Sequence, residues 1–454
     1  MDNVRRVNGT LFLSAFAAAL AGLLFGFDTA VISGVTESLR GVYSLDSGAL
    51  GFTVSVALWG TIAGALFASC PGDRIGRRDS LKITGLLFLL SALGCAFATG
   101  WGVFVFSRFI GGLGIGAASV LAPMYIAEIA PARLRGRFVA AFQINVVGGI
   151  LLAYLSNWLV GLSGLDPLGA EWRVKLGVEA VPAALFLWVL FYIPRSPRWL
   201  VKAGRGAEAA ESLRLTGIED VPAELSEIER SLAPEPGSGA ASLFSRACLY
   251  PVFLAFSIAM FNQLSGINGL LYYINDIFSS AGFDRVSGDQ QAVAIGCTNL
   301  VFTLAAMPLI DRVGRKTLLL VGAAGTSLAM LGAALVFYTG EHAPMLVWIL
   351  VAYIAFFALS QGAVIWVYIS EVFPNAVRAR GQSLGSSTHW VFCAAVSYLF
   401  PVVSEYSKSL PFFFFAAMTV LQFATVLFFY PETKGVPLER IQSKMRLPRW
   451  LRRA

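Results

Sequence analysis

The chain carries one charged motif twice, first as Gly72-Asp73-Arg74-Ile75-Gly76-Arg77-Arg78 and again as Ile310-Asp311-Arg312-Val313-Gly314-Arg315-Lys316. The second copy begins 238 residues after the first, and both copies interrupt a sequence that is otherwise mostly apolar. A charged motif that recurs at long range in such a sequence indicates an internal duplication.

Two other landmarks repeat at nearly the same spacing. Glu128-Ile129-Ala130-Pro131 matches Glu371-Val372-Phe373-Pro374 at 243 residues, and Pro194-Arg195-Ser196-Pro197 loosely matches Pro431-Glu432-Thr433-Lys434 at 237 residues. Agreement of all three landmarks predicts two half-chains of the same plan, which is a known architecture of membrane proteins with many spans.

Composition places the chain in the membrane class. Apolar residues make up 57% of it and charged residues 13%. A helix needs about 20 apolar residues to cross a bilayer. Twelve runs of suitable length lie near 10–34, 48–70, 81–99, 102–124, 138–160, 172–193, 248–281, 290–310, 317–339, 344–369, 382–404 and 410–430. We therefore predict an all-α membrane protein with twelve transmembrane helices.

Positive charge orients these spans. If the N-terminus is cytoplasmic, 28 of the 34 Lys and Arg residues fall in cytoplasmic segments, so both termini are predicted to be cytoplasmic. The net charge of +7 then reflects this loop asymmetry and a basic tail near anionic lipid, and no motif for nucleic-acid binding accompanies it.

Catalytic and metal-binding functions find no support in the sequence. The five cysteines occur singly, only two histidines exist, and no nucleophile–base set or nucleotide-binding loop is present. We predict no enzyme activity, no metal site and no cofactor.

The sequence divides into four segments. Residues 1–193 and 247–430 are the two apolar halves, 194–246 is a polar segment with the spacing of short amphipathic helices, and 431–454 is a tail. Residues 233–239, rich in Pro and Gly, are predicted to form a flexible joint. The polar segment as a whole is predicted to connect the two halves.

The repeated charges fall in cytoplasmic loops, where they can pair across neighbouring helix ends. We interpret them as a gate whose ion pairs form in one state and break in another. Glu128 is expected to pair with Arg133 and Arg135, and Glu371 with Arg378 and Arg380. Alternatively, they are solvated loop charges, each pair worth about 0 to 1 kcal/mol. The predicted gate residues are Asp73, Arg74, Arg77, Arg78, Glu128, Arg135, Asp311, Arg312, Arg315, Glu371 and Arg378.

Several strings together resemble a known family. The stretches 25–34, 72–78, 196–200, 263–268 and 431–435 are similar to those of the sugar porter family of the major facilitator superfamily, and most like bacterial proton-xylose symporters. The similarity runs nearly end to end. It implies two six-helix bundles with a cytoplasmic helical linker, a central sugar site and alternating access, in a bacterial inner (plasma) membrane.

Three ionisable residues lie inside predicted spans: Asp28, Arg108 and Glu179. All three fall about 10 Å below the outer surface at the helical rise. A carboxylate beside an Arg stays ionised, whereas one whose Arg is withdrawn into an apolar surrounding takes up a proton. We therefore predict Asp28 as proton carrier, Arg108 as its switchable partner and Glu179 as the competing acceptor; the alternative is a permanent buried ion-pair cluster.

A neutral sugar calls for side chains that both donate and accept, which predicts amides. Asn262, Gln263 and Asn268 flank a Ser265-Gly266-Ile267 stretch that is expected to break span 7, and Tyr272 follows Asn268 by one helical turn. Such amides can instead hydrogen-bond helices together. By resemblance, the remaining contacts are Phe25, Gln143, Asn299, Gly362, Trp366 and Trp390, although membrane tryptophans are more often packing or interfacial residues.

Some positions depart from the xylose-symporter pattern. Asn262 replaces a Gln, Ile150 and His389 each stand where a Gln is usual, and Ile150 is shared with glucose facilitators, so the sugar remains xylose- or glucose-like. Arg195 replaces a Glu, and Ala363 replaces a Pro, which predicts a softer bend in span 10.

The leading interpretation is proton-coupled symport of a monosaccharide by a functional monomer whose partners are a small neutral sugar, a proton and membrane lipid. The alternative is a passive sugar facilitator of the same fold.

Overall fold

The computed structural model describes residues 8–232, 243–245, 248–374 and 377–434, without the side chains at 132–133 and 135–136. The predicted joint at 233–239, most of the tail and the Arg135 side chain lie outside the described residues. Within the described ranges the chain is helical and has no strand, so the predicted all-α fold is confirmed.

The chain forms 21 α-helices in the described ranges. They are α1 Gly9–Val31, α2 Thr36–Tyr43, α3 Ser47–Phe67, α4 Ser69–Arg74, α5 Arg77–Ala96, α6 Trp101–Ile129, α7 Ala132–Gly161, α8 Trp172–Gly177, α9 Ala180–Val189, α10 Pro197–Lys202, α11 Gly206–Leu215, α12 Val221–Leu232, α13 Leu249–Leu264, α14 Ile267–Tyr272, α15 Ile274–Ser280, α16 Arg285–Val313, α17 Arg315–Thr339, α18 Met345–Leu359, α19 Gln361–Val372, α20 Arg378–Tyr406 and α21 Leu410–Phe429. A 3₁₀ turn, Ile32–Gly34, follows α1.

Eleven helical segments in the described part of the chain are long and apolar enough to cross a membrane. The sixth predicted run is instead two helices, α8 and α9, separated at Val178 and Glu179. Pro182 accounts for the break, because a proline lacks the N–H that would bond to Val178 four residues earlier and its ring crowds that carbonyl. The Val178 carbonyl accepts from Val181 N at 3.1 Å instead.

The chain folds as two compact units, one formed by Met1–Ser38 with Val56–Pro236 and the other by Leu39–Ser55 with Gly237–Ala454. In the first unit α1 packs closely on α7. A Cβ at Gly26 would lie 1.8 Å from the carbonyl oxygen of Val146, and one at Gly149 would lie 2.0 Å from that of Leu23. Small residues thus let these two backbones approach, as is common between membrane helices.

The second unit contains two interrupted spans. Gly266, at φ +95°, separates α13 from α14, so the predicted break of span 7 is confirmed. Span 10 is also broken despite Ala363, because Ser360 adopts φ −122° and ψ −89° between α18 and α19. Both breaks leave backbone groups outside a regular helix, which membrane proteins tolerate where protein or a cavity surrounds them.

The linker segment contributes α10, α11 and α12, short helices as predicted, in the part of it that the structure describes. Ser196 caps α10 by accepting a hydrogen bond from Trp199 N at 3.1 Å. Trp199 then donates from its indole nitrogen to the carbonyl oxygen of Asp73 at 2.9 Å, which attaches the linker to the first charged motif.

Candidate functional site

The structure brings Asp28 and Arg108 together inside the first unit. Nη1 of Arg108, on α6, lies 2.5 Å from Oδ1 of Asp28, on α1. The two side chains are 1% and 2% exposed, with Arg108 the more exposed, so this ion pair is shielded from solvent. Gly111 lies beside this ion pair, and its lack of a side chain leaves room there, since a Cβ at that position would lie 2.4 Å from Ser91 Oγ and close to Asp28.

Glu179 completes this group. It lies at the break between α8 and α9, is buried, and interacts electrostatically with both Asp28 and Arg108. Oδ2 of Asp28 and Oε1 of Glu179 accept no hydrogen bond within the described residues. Two buried acids therefore lie within electrostatic range of one guanidinium, and a bound proton would balance the excess negative charge.

A second buried ion pair lies one helical turn before Glu179 and was not found by sequence reasoning. Nζ of Lys175 is 3.0 Å from Oε1 of Glu171 and donates to the carbonyl oxygen of Gly34 at 3.1 Å. Asn157 donates to the carbonyl oxygen of Val31 at 3.1 Å. These contacts fix the C-terminal end of α1, and with it the position of Asp28, against α7 and α8.

The predicted amides form one network in the second unit. Gln263 Nε2 donates to Asn262 Oδ1 at 3.0 Å, and Gln263 Oε1 accepts from Asn268 Nδ2 at 2.7 Å. Gln263 Nε2 also lies 3.2 Å from Nε2 of His389, which can accept a hydrogen bond from this amide when the imidazole is neutral. The network therefore spans both sides of the break in span 7.

The break itself is held by Tyr353. Its hydroxyl donates to the carbonyl oxygen of Ser265 at 3.1 Å, satisfying a backbone group next to Gly266. Tyr272 is buried at the end of α14, and Asn268 Nδ2 reaches Sγ of Cys393 at 3.0 Å. Sequence reasoning did not find Cys393 as a neighbour of the amide network, and no local pattern marks it.

Aromatic rings surround the same network. The ring centroids of Trp366 and His389 are 5.1 Å apart, and those of His389 and Trp390 are 5.0 Å apart. Gly362 is the second residue of α19, two positions after the break at Ser360. On α16, Asn299 is buried and accepts from Thr303 Oγ1 at 3.4 Å.

The other three predicted sugar contacts lie in the first unit. Phe25 is on α1, and Gln143 and Ile150 are on α7. A Cβ at Gly26 would come within 3.0 Å of Ile150 N, so Phe25 and Ile150 flank the close crossing of these two helices.

The first charged motif forms a compact cluster, which we call the first clasp: Asp73, Arg77, Glu128 and Ser196. The Arg77 guanidinium pairs with Asp73 at 2.9 Å and with Glu128 at 3.0 Å. Ser196 Oγ donates to the second oxygen of Glu128 at 2.5 Å. The clasp joins α4, α5 and α6 to the start of the linker.

The second motif forms the same arrangement, the second clasp: Asp311, Arg315, Glu371 and Thr433. The Arg315 guanidinium pairs with Asp311 at 3.0 Å and with Glu371 at 2.8 Å. Thr433 Oγ1 donates to the second oxygen of Glu371 at 2.6 Å. The three landmark pairs of the sequence thus correspond, position by position, to two equivalent clusters.

Glu371 has partners other than the expected Arg378. Glu371 pairs with Arg315 and Thr433 and not with Arg378, whose Nη2 donates to the carbonyl oxygen of Phe373 at 3.4 Å. One oxygen of Glu371 accepts from Arg315 and the other from Thr433. The expected pairing of Glu128 with Arg133 and Arg135 lies outside the described side chains.

The remaining gate candidates lie at the edge of these clusters. Arg74 and Arg312 are exposed, and Arg78 contacts Asp79 at 3.1 Å and the carbonyl oxygen of Ile193 at 3.2 Å. Sequence reasoning missed Ser196 and Thr433, although their place in the third landmark pair, 237 residues apart, was the signal that could have found them.

A helical, many-spanned protein with two equivalent charged clasps and buried polar clusters inside its spans has the organisation of a membrane transporter. Comparison with known proteins supports this class. The family pattern described as Sugar (and other) transporter matches residues 14–445. The chain belongs to this family of multi-pass membrane proteins.

Individual relatives cover nearly the whole chain. The D-xylose-proton symporter of Escherichia coli (strain K12) is 35% identical over 97% of both chains. The arabinose-proton symporter of Bacillus subtilis (strain 168) is 35% identical over 96% of this chain and 95% of its own. Among solved structures, the inward-open conformation of the xylose transporter XylE from E. coli matches with a TM-score of 0.86 and 34% identity, covering 96% of this chain and 99% of that one.

Proposed function

We propose that the protein carries a small neutral monosaccharide, xylose- or glucose-like, across the membrane together with a proton by alternating access. The observation that carries this proposal is the buried Asp28–Arg108 pair with Glu179 beside it. A passive carrier of a neutral sugar has no need of two acids and one guanidinium inside its spans, where each charge costs about 2.5 to 3.5 kcal/mol on insertion scales.

In this proposal Asp28 binds and releases the proton. While Arg108 contacts Asp28, the ionised form of Asp28 is favoured over the protonated form. When Arg108 turns to Glu179, Asp28 is left in an apolar surrounding and takes up a proton. Glu179 can serve as the competing acceptor because it lies at the break between α8 and α9, within electrostatic reach of the pair. Proton binding thus changes which acid holds Arg108.

The sugar is bound by the amide network and its aromatic border. Gln263, Asn262 and Asn268 supply donors and acceptors for hydroxyl groups, and Tyr272 and Asn299 extend the polar set. Trp366 and Trp390 offer flat apolar area to the C–H face of a sugar ring. Phe25, Gln143, Ile150, Gly362 and His389 complete the proposed set of contacts.

The two clasps form the cytoplasmic gate. Each holds one arginine between two carboxylates at distances of 2.8 to 3.0 Å, a geometry that favours one defined conformation of the surrounding helix ends. Opening toward the cytoplasm would separate the partners, and closing would restore them. Of the gate candidates outside the clasps, Arg74 and Arg312 contribute charge at the exposed edge, and Arg78 ties the start of α5 to the carbonyl oxygen of Ile193.

We further propose a bacterial inner (plasma) membrane location with both termini in the cytoplasm, consistent with the distribution of Lys and Arg. The functional units are the two six-helix bundles, 1–193 and 247–430, with 194–246 as linker and 431–454 as tail. The working form is a monomer that needs a sugar, a proton and lipid, and no cofactor, metal or nucleic acid.

The test is uptake of radiolabelled xylose, glucose, galactose and arabinose into proteoliposomes, with and without an inward proton gradient. Wild type should accumulate its sugar only with the gradient. Asp28→Asn should abolish accumulation while sugar exchange at equal concentrations survives. Asp289→Asn is the matched control, because Asp289 is an equally buried acid of the second unit and is hydrogen-bonded by Asn275.

Two outcomes would contradict the proposal. If wild type only equilibrates its sugar, and Asp28→Asn behaves alike, the protein is a facilitator and the acid cluster is structural. If Asp289→Asn abolishes accumulation as completely as Asp28→Asn does, the effect belongs to buried acids in general and not to this cluster.

A further inference from the structure

Gln361 occupies an unusual position in span 10. It is the first residue of α19, directly after the non-helical Ser360 and directly before Gly362. Its main-chain carbonyl oxygen accepts from Asn262 Nδ2 at 3.4 Å, so its backbone is attached to the amide network. The residue is only 1% exposed.

The side chain of Gln361 is unsatisfied. Neither its Nε2 nor its Oε1 has a hydrogen-bond partner within the described residues. A buried amide without partners costs about 1 to 3 kcal/mol. An apolar residue of similar size would avoid that cost, so an amide retained here calls for a polar partner that the protein itself does not supply.

We propose that the Gln361 amide is a further sugar-binding group that sets which monosaccharides the site accepts. This inference rests on the proposed sugar transport. A carboxamide donates from its nitrogen and accepts at its oxygen, so it suits two neighbouring hydroxyl groups of one sugar, one accepting and the other donating. The main-chain contact with Asn262 places Gln361 next to the network of Asn262, Gln263 and Asn268.

A sugar-binding role of Gln361 differs measurably from a structural one. A structural glutamine would satisfy its amide within the protein, and its replacement would lower stability whether or not sugar is present. A sugar-binding amide is satisfied only in the complex. Its replacement by an apolar residue therefore weakens sugar binding and leaves the sugar-free protein as stable as before, or more so.

The experiment compares purified wild type with Gln361→Leu and Gln361→Met, two apolar variants of similar volume. Equilibrium binding is measured for D-xylose, D-glucose and single-deoxy analogues of each, alongside the melting temperature without sugar. Gln422→Leu is the matched control, since Gln422 is an equally buried glutamine on α21 whose Oε1 also lacks a partner in the described part of the chain.

We expect both Gln361 variants to bind the preferred sugar about tenfold more weakly than wild type. Wild type should bind the deoxy analogue that lacks the contacted hydroxyl more weakly than the parent sugar, by a similar factor. The variants should bind the parent sugar and this analogue with equal affinity. Gln422→Leu should bind sugar as wild type does. The melting temperature without sugar should not fall in either Gln361 variant.

Other results overturn the inference. Wild-type affinity in both Gln361 variants, or a deoxy-sugar preference unchanged from wild type, removes Gln361 from the site. Weaker binding together with a lower melting temperature in both variants assigns it a structural role. If wild type binds none of these sugars, the proposed function fails, and that result is distinct because it appears before any variant is tested.

Discussion

The two clasps share one plan but carry opposite charges at the second position of the third landmark pair. In the second clasp that position is Glu432, in the first it is Arg195, and Arg195 pairs with Asp79 at 2.9 Å. A guanidinium has no acceptor, so Arg195 cannot cap the matching helix α5. The Glu432 carboxylate, by contrast, accepts four backbone N–H hydrogen bonds of 2.9 to 3.0 Å, from Arg315, Lys316, Thr433 and Lys434.

This contrast shows that a charge reversal is tolerated when a neighbour compensates for it. Asp79 lies in the first turn of α5, and the residue 238 positions later is Thr317, which is uncharged. An acid at a helix N-terminus is also stabilised by the positive end of the helix dipole. The first clasp therefore has a side-chain ion pair where the second has a backbone cap. Its central ion pairs, between Arg77 and the carboxylates of Asp73 and Glu128, have equivalents in the second clasp.

The strongest consequence concerns the part that the clasps share. Arg77→Ala and Arg315→Ala should each lower the unfolding free energy by about 3 kcal/mol, because each leaves a partly buried glutamate unpaired. Chemical unfolding in detergent micelles measures this. Arg74→Ala, at an exposed arginine beside the first clasp, is the control and should change little. An effect in only one of the two clasps would show that they are not equivalent.

The next effect distinguishes the clasps. Glu432→Gln should cost about 2 kcal/mol, since a neutral amide holds backbone donors less strongly than a carboxylate does. Arg195→Gln should cost about 0.5 kcal/mol, because Arg195 and Asp79 are 31% and 23% exposed and water weakens the pair. The two variants are compared by unfolding under one set of conditions. Equal costs would contradict the contrast between cap and ion pair.

A third set of variants converts one clasp into the other. Arg195→Glu alone should destabilise the protein, since it sets a second carboxylate beside Asp79. Adding Asp79→Thr, which copies Thr317, should restore stability to within about 0.5 kcal/mol of wild type, because the introduced carboxylate can then cap α5 in place of the ion pair. A double-mutant cycle measures the coupling. Additive effects of the two substitutions would mean that Arg195 and Asp79 are independent.

The weakest effect lies at the rim of the first clasp. Arg195 Nη1 is 3.7 Å from Oε2 of Glu208, a side chain that is 52% exposed. Glu208→Ala should lower the unfolding free energy by about 0.5 kcal/mol or less, and raised salt should remove the difference. Glu208 also pairs with Arg205 at 2.6 Å, so a double-mutant cycle with Arg195→Gln isolates the contact between Arg195 and Glu208. A coupling energy above about 0.5 kcal/mol would show that Arg195 is held mainly by the linker helix α11 and not by Asp79.

Sequence alone predicted what depends on local pattern. Apolar run length predicted the spans, the repeat predicted two equivalent motifs, and Ser265-Gly266-Ile267 predicted the break between α13 and α14. These features follow from hydrophobicity and from glycine's access to positive φ, which the residues themselves determine.

What sequence missed depends on tertiary geometry. Both Arg77 and Arg135 were available to Glu128, and only packing of α5 on α6 brings the Arg77 guanidinium to 3.0 Å. The unsatisfied amide of Gln361 is equally invisible in sequence, because a glutamine looks the same there whether or not its partners are present. The break at Val178 could have been found, since Pro182 lies four residues after it.

The proposed coupling of sugar and proton movement through the Asp28 cluster can be tested without purification. The external pH of a weakly buffered suspension of energy-depleted cells that express the protein is recorded while the transported sugar is added. We expect prompt alkalinisation with wild type and with Asp289→Asn, and none with Asp28→Asn. Sugar entry into wild-type cells without any alkalinisation would contradict proton coupling.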